Sequence, residues 1–146
     1  MRIVLQRVSW ARVHVDGEEV GAIGPGLLAL VGAARGDTAA EAERLAAKTV
    51  RLRLFDGPER PFDVPLTGVP GGALLCVSQF TLLADVRRGN RPSWSAAAPG
   101  EEAEPLVAAY AAAVEAEAVP VAHGRFGAHM DVSLQNDGPV TLVLET

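Results

Sequence analysis

Cysteine, lysine and aromatic residues are scarce in this chain of 146 residues. Cys76 is the only cysteine, which excludes an intrachain disulfide, and its place inside the apolar run Ala73–Val77 predicts a core residue rather than a nucleophile. Lys48 is the only lysine among thirteen basic residues, and the formal net charge is −5. This balance argues against a broad nucleic-acid surface, although it leaves room for a local basic site that reads one end of an RNA.

Long hydrophobic runs are also missing. Glycine and proline flank the most apolar segment, Leu27–Val31, and no stretch approaches the roughly 20 apolar residues of a membrane span. The first residues, Met1–Arg7, lack the apolar segment and the cleavage site of a signal peptide. We therefore expect no membrane association and a cytoplasmic location.

Familiar catalytic motifs are absent as well. The chain has no Gly-x-Ser-x-Gly elbow, no His-Glu-x-x-His pair, no P-loop and no Rossmann glycine pattern. The spacing of His123 and His129, with Asp131 nearby, matches no standard zinc site, so we expect neither a metal nor another cofactor. His14 alternates with apolar neighbours on an early β-rich run, which favours a structural role.

The order of apolar runs and turn signals predicts one domain over residues 1–146. Thr38 and Glu41 have the spacing of a capping box at the start of a helix over Ala39–Arg53, and a second helix is expected over Glu101–Ala118. Strands are expected at Arg2–Val8, Ala11–Val15, Glu18–Ile23, Leu27–Val31, Ala73–Val77, Val119–Ala122, Val132–Leu134 and Val140–Leu144. The predicted fold is α+β, with two main helices packed on a largely antiparallel, twisted, barrel-like sheet.

Two features of the strand pattern carry specific expectations. The continuous apolar character of Leu27–Val31 predicts a central strand covered on both faces. Between the last two strands, Gln135–Pro139 has the chemistry of a turn, because Asn-Asp-Gly favours turns and Pro139 fixes φ and lacks a donor.

The stretch Ser78–Leu82 stands where a buried strand breaks toward solvent, before the long Arg-rich loop Asp85–Pro99. The hydroxyl of Ser78 or Thr81 has the chemistry of a nucleophile, and consecutive backbone N–H groups at such a break can form an oxyanion hole. The competing interpretation is a strand end whose hydroxyls only satisfy nearby backbone groups. The pentapeptide alone favours this second interpretation.

Several stretches taken together resemble the D-aminoacyl-tRNA deacylases, also called D-tyrosyl-tRNA(Tyr) deacylases. The matching stretches are Ser78–Leu82, Arg91-Pro92-Ser93, Gly124–Ala128 and Asn136–Thr141, with Gln6-Arg7-Val8, Val15-Asp16-Gly17 and Gly24–Leu27 near the start. They occur in order from end to end of the chain. A small departure is Trp94, where the family more often has phenylalanine.

The resemblance implies an editing hydrolase. Such an enzyme cleaves the ester between a D-amino acid, or glycine, and the 3′ end of tRNA, and it rejects L-aminoacyl-tRNA. Family members are homodimers with active sites at the subunit interface, where Ser78–Thr81 of one chain would meet Gly138-Pro139 of the other. The resemblance further implies a cis bond between Gly138 and Pro139 and a role for both residues as the selectivity filter.

Individual roles also follow from the resemblance. The catalytic stretch would be Ser78, Gln79, Phe80 and Thr81, with backbone groups of Gln79 and Phe80 near the scissile carbonyl. Arg7 would help to hold the Gly-Pro segment, and Phe126 and Met130 would lie near a pocket for the terminal adenosine. From their position in the long loop, the candidates for tRNA binding are Arg87, Arg88 and Arg91.

Three alternatives stay open at this point. Thr81 is either a nucleophile or an orienting hydroxyl beside the assisting 2′-OH of the tRNA, and the lack of an assignable base favours the second. The chain could instead be a non-catalytic dimeric module that binds a small acylated ligand or an RNA 3′ end. A metal-dependent hydrolase using His123, His129 and Asp131 is the third possibility.

Overall fold

The computed structural model describes all residues, 1–146, as eight strands, two α-helices and two 3₁₀ turns. The strands are β1 Arg2–Val15, β2 Glu18–Ile23, β3 Gly26–Gly32, β4 Arg53–Phe55, β5 Val64–Pro65, β6 Ala73–Ser78, β7 Val121–His123 and β8 Asp131–Glu145. The helices are α1 Ala39–Arg51 and α2 Gly100–Ala116, and the 3₁₀ turns are Leu66–Gly68 and Phe80–Leu83.

The main sheet is organised around β1. One edge of this strand pairs antiparallel with β3 along its first half and with β2 along its second half, while the other edge pairs antiparallel with β8. On the far side of β3, β6 and β7 continue the sheet with parallel pairings. β2 also lies close to β7: a Cβ added at Gly21 of β2 would collide with the carbonyl oxygen of His123 in β7. The sheet is thus mixed and nearly closed into a barrel, which confirms the predicted α+β fold.

Two apolar cores lie on opposite faces of this sheet. Leu27 and Ala29 of β3 face the helices, in a core that includes Tyr110 of α2, whereas Leu28 faces the barrel interior beside Leu75 of β6. All four of these sheet side chains are at most 1% exposed. The prediction that β3 is covered on both faces is therefore confirmed.

The helices begin and end close to the predicted positions. Thr38 caps α1 through the predicted capping box with Glu41, and the hydrogen bonds from Thr38 lower the pKa of the Glu41 carboxyl. α1 ends at Arg51 rather than Arg53, because Leu52 adopts an extended conformation that leads into β4. Neither helix combines the length and the apolar character that crossing a bilayer would require.

The first strand differs from the prediction of two runs, Arg2–Val8 and Ala11–Val15. β1 is continuous from Arg2 to Val15, because pairing with β8 carries the backbone through the exposed residues Ser9 and Trp10. The register shifts between Val8 and Trp10, which records the local irregularity.

The prediction of a turn at Gln135–Pro139 is wrong. β8 runs without interruption from Asp131 to Glu145, and the turn-forming residues lie inside it as a wide bulge. Asn136 pairs with Val8 and Thr141 with Gln6, so residues 137–140 lie opposite Arg7 alone. A bulge accommodates extra residues and a proline without ending the pairing of the strand, which is why turn chemistry appears here without a turn.

Candidate active site

The Ser78–Leu82 stretch leaves the sheet at the end of β6. The Gln79 N–H donates to the Val31 carbonyl at 2.8 Å, and the backbone then turns into the 3₁₀ segment Phe80–Leu83. This turn packs tightly against β3, since a Cβ at Gly32 would lie 2.9 Å from the Gln79 carbonyl oxygen. Gly32 therefore lets the turn sit against the end of the sheet.

Backbone donors are the available polar groups at this turn. The N–H groups of Phe80 and Thr81 form no hydrogen bond within the chain, whereas the Gln79 N–H is occupied by Val31. The Gln79 side-chain amide donates to the hydroxyl of Thr81. The Thr81 oxygen thus already accepts a hydrogen bond, and its own hydroxyl hydrogen remains free to donate one.

No histidine acts as a base for these hydroxyls. His123 lines a shallow groove together with Ser78, but its imidazole lies 3.5 Å from the Glu115 carboxylate and forms no hydrogen bond with Ser78. His129 is almost fully exposed, and its imidazole lies 3.8 Å from Asp131.

The remaining titratable candidates lie apart from one another. His123 is on β7 and His129 is on the segment before β8, and no group of three or more His, Cys, Asp or Glu side chains could hold a metal ion. His14 lies on β1, 3.9 Å from Glu19. Burial raises the pKa of the Cys76 thiol to about 12, so this side chain is an unreactive core residue, as predicted.

A mostly apolar pocket of about 330 Å³ adjoins the turn. Ser78, Phe80, Phe126 and Met130 are among the residues that line it. Residues from β3 and α2 complete the lining, among them Val31, Ala103 and Val107. The structure thus brings together Ser78, Phe80, Phe126 and Met130, which the sequence had grouped only through family resemblance.

The long loop Asp85–Pro99, called the rim below, contacts this turn through the rings of Trp94 and Phe80. Its base is closed by two backbone hydrogen bonds between Asp85 and Ser93. The Arg87 guanidinium donates two hydrogen bonds to the Asp85 carboxylate, at 2.9 and 2.6 Å. These bonds hold the pKa of the Asp85 carboxyl well below its usual range and raise the pKa of the Arg87 guanidinium. Arg88 and Arg91 are exposed and form no ion pair.

The bulge in β8 is held by a buried arginine. Arg7 is 5% exposed, and its guanidinium donates to the carbonyl oxygens of Leu54 at 2.6 Å and of Asp137 and Gly138 at 3.2 Å each. The Asp137 carboxylate lies 3.0 Å from the same guanidinium. The bond between Gly138 and Pro139 is cis, as expected, and both residues are exposed.

Gln6 braces the same bulge from the opposite face of β1. Its side-chain amide donates to the Asn136 Oδ1 at 2.9 Å and to the Thr141 Oγ1 at 3.4 Å, and the Thr141 hydroxyl donates to Asn136 at 3.2 Å. These contacts join the two ends of the bulge. The sequence had assigned no role to Gln6, Asn136 or Thr141, although the alternation along β1 places Gln6 and Arg7 on opposite faces.

The turn and the bulge lie far apart within one chain. Arg2 pairs with Gly32 and donates to the Leu82 carbonyl at 2.6 Å, so the turn sits at the Arg2 end of β1. The bulge lies opposite Arg7, five residues along the same strand, a separation of roughly 17 Å at the rise of an extended chain. A single chain therefore does not bring Gly138 and Pro139 to Thr81.

Fold and site together define a class of protein: a small α+β domain with free backbone donors beside an apolar pocket, and no side-chain base or metal cluster at that position. The sequence profile of the D-Tyr-tRNA(Tyr) deacylase family matches residues 4–145. A D-aminoacyl-tRNA deacylase of Nocardia farcinica is 56% identical over all of both chains, and one of Chloroflexus aurantiacus is 57% identical over all of this chain and 91% of its own. The chain belongs to the D-Tyr-tRNA(Tyr) deacylase family and is an enzyme, a hydrolase.

Solved structures share this fold. One, described as the c-Myc DNA unwinding element binding protein, superposes with a TM-score of 0.92 at 38% identity, covering 100% of this chain and 99% of its own. Another, described as a probable eukaryotic D-amino acid tRNA deacylase, has a TM-score of 0.79 and covers 98% and 97% of the two chains. At 17% identity, this second likeness concerns the fold alone.

Proposed function

We propose that this protein hydrolyses the ester that joins a D-amino acid, or glycine, to the 3′ end of tRNA, and that it does so in the cytoplasm while sparing L-aminoacyl-tRNA. Relatives that carry the name D-aminoacyl-tRNA deacylase match the whole chain at 56 and 57% identity, which supports the substrate class. The observation that carries the mechanism is the pair of unbonded N–H groups of Phe80 and Thr81, on a turn whose residue Phe80 lines the apolar pocket.

The pocket beside Ser78 takes the terminal adenosine. Its apolar lining and its volume suit one nucleoside, with the ring of Phe126 and the thioether of Met130 offering surfaces for a planar base. An adenosine held there places the ester on its ribose near Phe80 and Thr81. The backbone groups of these residues then face the reacting carbonyl.

Catalysis rests on positioning and on stabilisation of the oxyanion. An aminoacyl ester is already activated, and one backbone donor aimed at a developing oxyanion is worth on the order of 100- to 1000-fold in rate. The Thr81 hydroxyl accepts from Gln79 and has no base beside it, so it orients the substrate rather than attacks it. A water molecule is the nucleophile, and the 2′-OH of the tRNA assists its attack on the ester.

Chirality is read by exclusion at Gly138 and Pro139. L- and D-amino acids carry the same groups, so a wall that clashes with one isomer discriminates better than any set of attractive contacts. In this protein the wall is the exposed backbone of Gly138 and Pro139. The buried Arg7 binds the carbonyl of Gly138 and that of the preceding residue, and Gln6 binds the end of the bulge from the opposite face of β1. Glycine and D-residues fit against such a wall because neither projects a side chain toward it.

The protein acts as a homodimer whose active sites combine residues of both chains. The turn and the bulge lie beside positions of β1 that are roughly 17 Å apart, which supports this, since a second chain is then needed to bring a bulge to the turn. The bulge is also exposed and lies on β8, whose outer edge is unpaired, as expected for a segment that projects into a partner.

The direct test is release of amino acid from tRNA charged with D-tyrosine, glycine or L-tyrosine, with and without EDTA. We expect release from the D-tyrosyl and glycyl substrates, none from the L-substrate, and no effect of EDTA. Binding without release would identify a non-catalytic module. Loss of release in EDTA that zinc or manganese restores would identify a metal-dependent hydrolase instead.

A further inference from the structure

Two aromatic side chains lie exposed where the pocket opens to solvent. Phe80 lines the pocket and Trp94 does not, yet their ring centroids are 5.9 Å apart in an edge-to-face arrangement at 65°. Phe80 is 56% exposed and Trp94 is 41% exposed. The apolar surface of the pocket therefore continues outward onto the rim, where both rings are open to a ligand.

The surroundings of this aromatic pair carry uncompensated positive charge. Asp85 is the only acidic residue in the loop Asp85–Pro99, and Arg87 already binds it. Arg88 and Arg91, on the same loop just before Trp94, form no ion pair. A ligand on this rim thus meets flat apolar surface and free guanidinium groups together, a combination that suits nucleobases joined by phosphates.

We propose that Phe80 and Trp94 form a stacking platform for the cytidines that precede the terminal adenosine of tRNA. The inference rests on the proposed function, because it places the adenosine in the adjoining pocket. That pocket has room for one nucleoside, so the nucleotide on its 5′ side must lie just outside. Base stacking on aromatic rings is tolerant of sequence, and Arg88 and Arg91 pair with the phosphates between these bases.

The platform predicts that Trp94 contributes only when nucleotides extend beyond the adenosine. Two probes separate these cases: D-tyrosyl-adenosine, which fills the pocket alone, and D-tyrosyl-CCA, a trinucleotide that reaches the rim. For Trp94→Leu we expect the ratio of kcat/KM for the trinucleotide to kcat/KM for the nucleoside to fall about tenfold, the scale of one stacked base. Trp94→Phe, which keeps an aromatic ring, should retain most of the wild-type advantage of the trinucleotide.

Binding of uncharged CCA and of adenosine to the same variants gives a second readout that needs no catalysis. If the wild-type enzyme hydrolyses neither of the two charged probes, the proposed function is overturned. A loss of CCA affinity in Trp94→Leu would still support the platform in that case. Wild-type enzyme that handles nucleoside and trinucleotide equally, or a leucine variant that keeps the full advantage, would overturn it. Dissociation of subunits in Trp94→Leu, seen as a halved molar mass, would also overturn it by marking the pair as an interchain contact.

Discussion

The turn at Phe80–Leu83 and the bulge at residues 137–140 differ in how their backbone polar groups are used. At the turn, the backbone donors of Phe80 and Thr81 are left without partners beside a pocket. At the bulge, the carbonyls of Asp137 and Gly138 are bound by a buried guanidinium. The first region keeps groups free for a substrate, and the second holds groups so that they do not move. In the proposed function, the two regions form a complete site only when two chains meet.

The largest effect is expected from Gly138→Ala. A Cβ at Gly138 meets only the Asn136 amide, at 3.7 Å, so the domain accommodates the methyl without strain. In the proposed function, the substrate is read against the exposed backbone of Gly138 and Pro139, where this methyl is added. A displacement on the order of an ångström at such a site can cost 100-fold in rate. We expect kcat/KM for D-tyrosyl-tRNA to fall at least that far while the melting temperature stays unchanged.

Gly24→Ala is the matched control, since a Cβ at Gly24 meets nothing within 4 Å and this turn lies outside both regions. It should leave both activity and stability unaltered. Full activity in Gly138→Ala would show that substrate never approaches this wall.

Arg7→Lys should loosen the wall without removing charge. One ammonium cannot replace a guanidinium fork that reaches Leu54, Asp137 and Gly138 together. Leaving one or two of these carbonyls unsatisfied costs about 2 kcal/mol in the free energy of unfolding. We also expect a loss of about tenfold in kcat/KM for the D-substrate and a smaller ratio of D- to L-substrate hydrolysis.

Urea unfolding and the two rate measurements test this, with the exposed Arg12→Lys as control. An unchanged D-to-L ratio in Arg7→Lys, despite lower stability, would mean that Arg7 supports the fold and has no part in selectivity.

Thr81→Ala tests the turn, and here a moderate effect is expected. If the hydroxyl only orients the ester, the variant loses one hydrogen bond, about tenfold in rate, and the reaction continues. Single-turnover hydrolysis of D-tyrosyl-tRNA, with mass spectrometry of quenched enzyme, is the measurement. A D-tyrosyl adduct on Thr81 of the wild type would instead make this residue the nucleophile.

The smallest effects are expected at the rim, where Arg87 is paired with Asp85 but Arg88 and Arg91 form no ion pair. Replacing Arg88 and Arg91 by alanine should flatten the log–log dependence of tRNA affinity on salt by about one unit for each phosphate that the variant no longer neutralises. Replacing Asp85 and Arg87 together removes a self-compensating pair and should leave the slope as it is. Equal slopes in both double variants would place the tRNA backbone elsewhere.

Local sequence signals predicted the start of α1, the central strand β3 and the end of β6 well. The capping box at Thr38 and the continuous apolar run of β3 act over a few residues, so the sequence alone reveals them. The break after Ser78 was likewise visible as a change from apolar to polar residues. The pocket beside it was not, because Phe126 and Met130 reach it from a segment almost fifty residues away.

The bulge was harder to predict for the opposite reason. Asn136-Asp137-Gly138-Pro139 has strong turn chemistry, and the local pattern therefore predicts a turn between two strands. Pairing with the long strand β1 overrides that preference and carries β8 past the proline. The supports of the bulge are equally non-local, since Arg7 binds the carbonyl of Leu54 as well as those of Asp137 and Gly138.

Mixing two inactive variants tests the shared site most directly. Gly138→Ala damages the wall, and Phe80→Pro removes one backbone donor at the first position of the 3₁₀ turn, where proline is tolerated. If each site uses the turn of one chain and the bulge of the other, equal mixing and subunit exchange should restore about a quarter of the wild-type activity, because half the dimers carry one intact site. No recovery, although heterodimers are shown to form, would mean that each chain carries its own complete site.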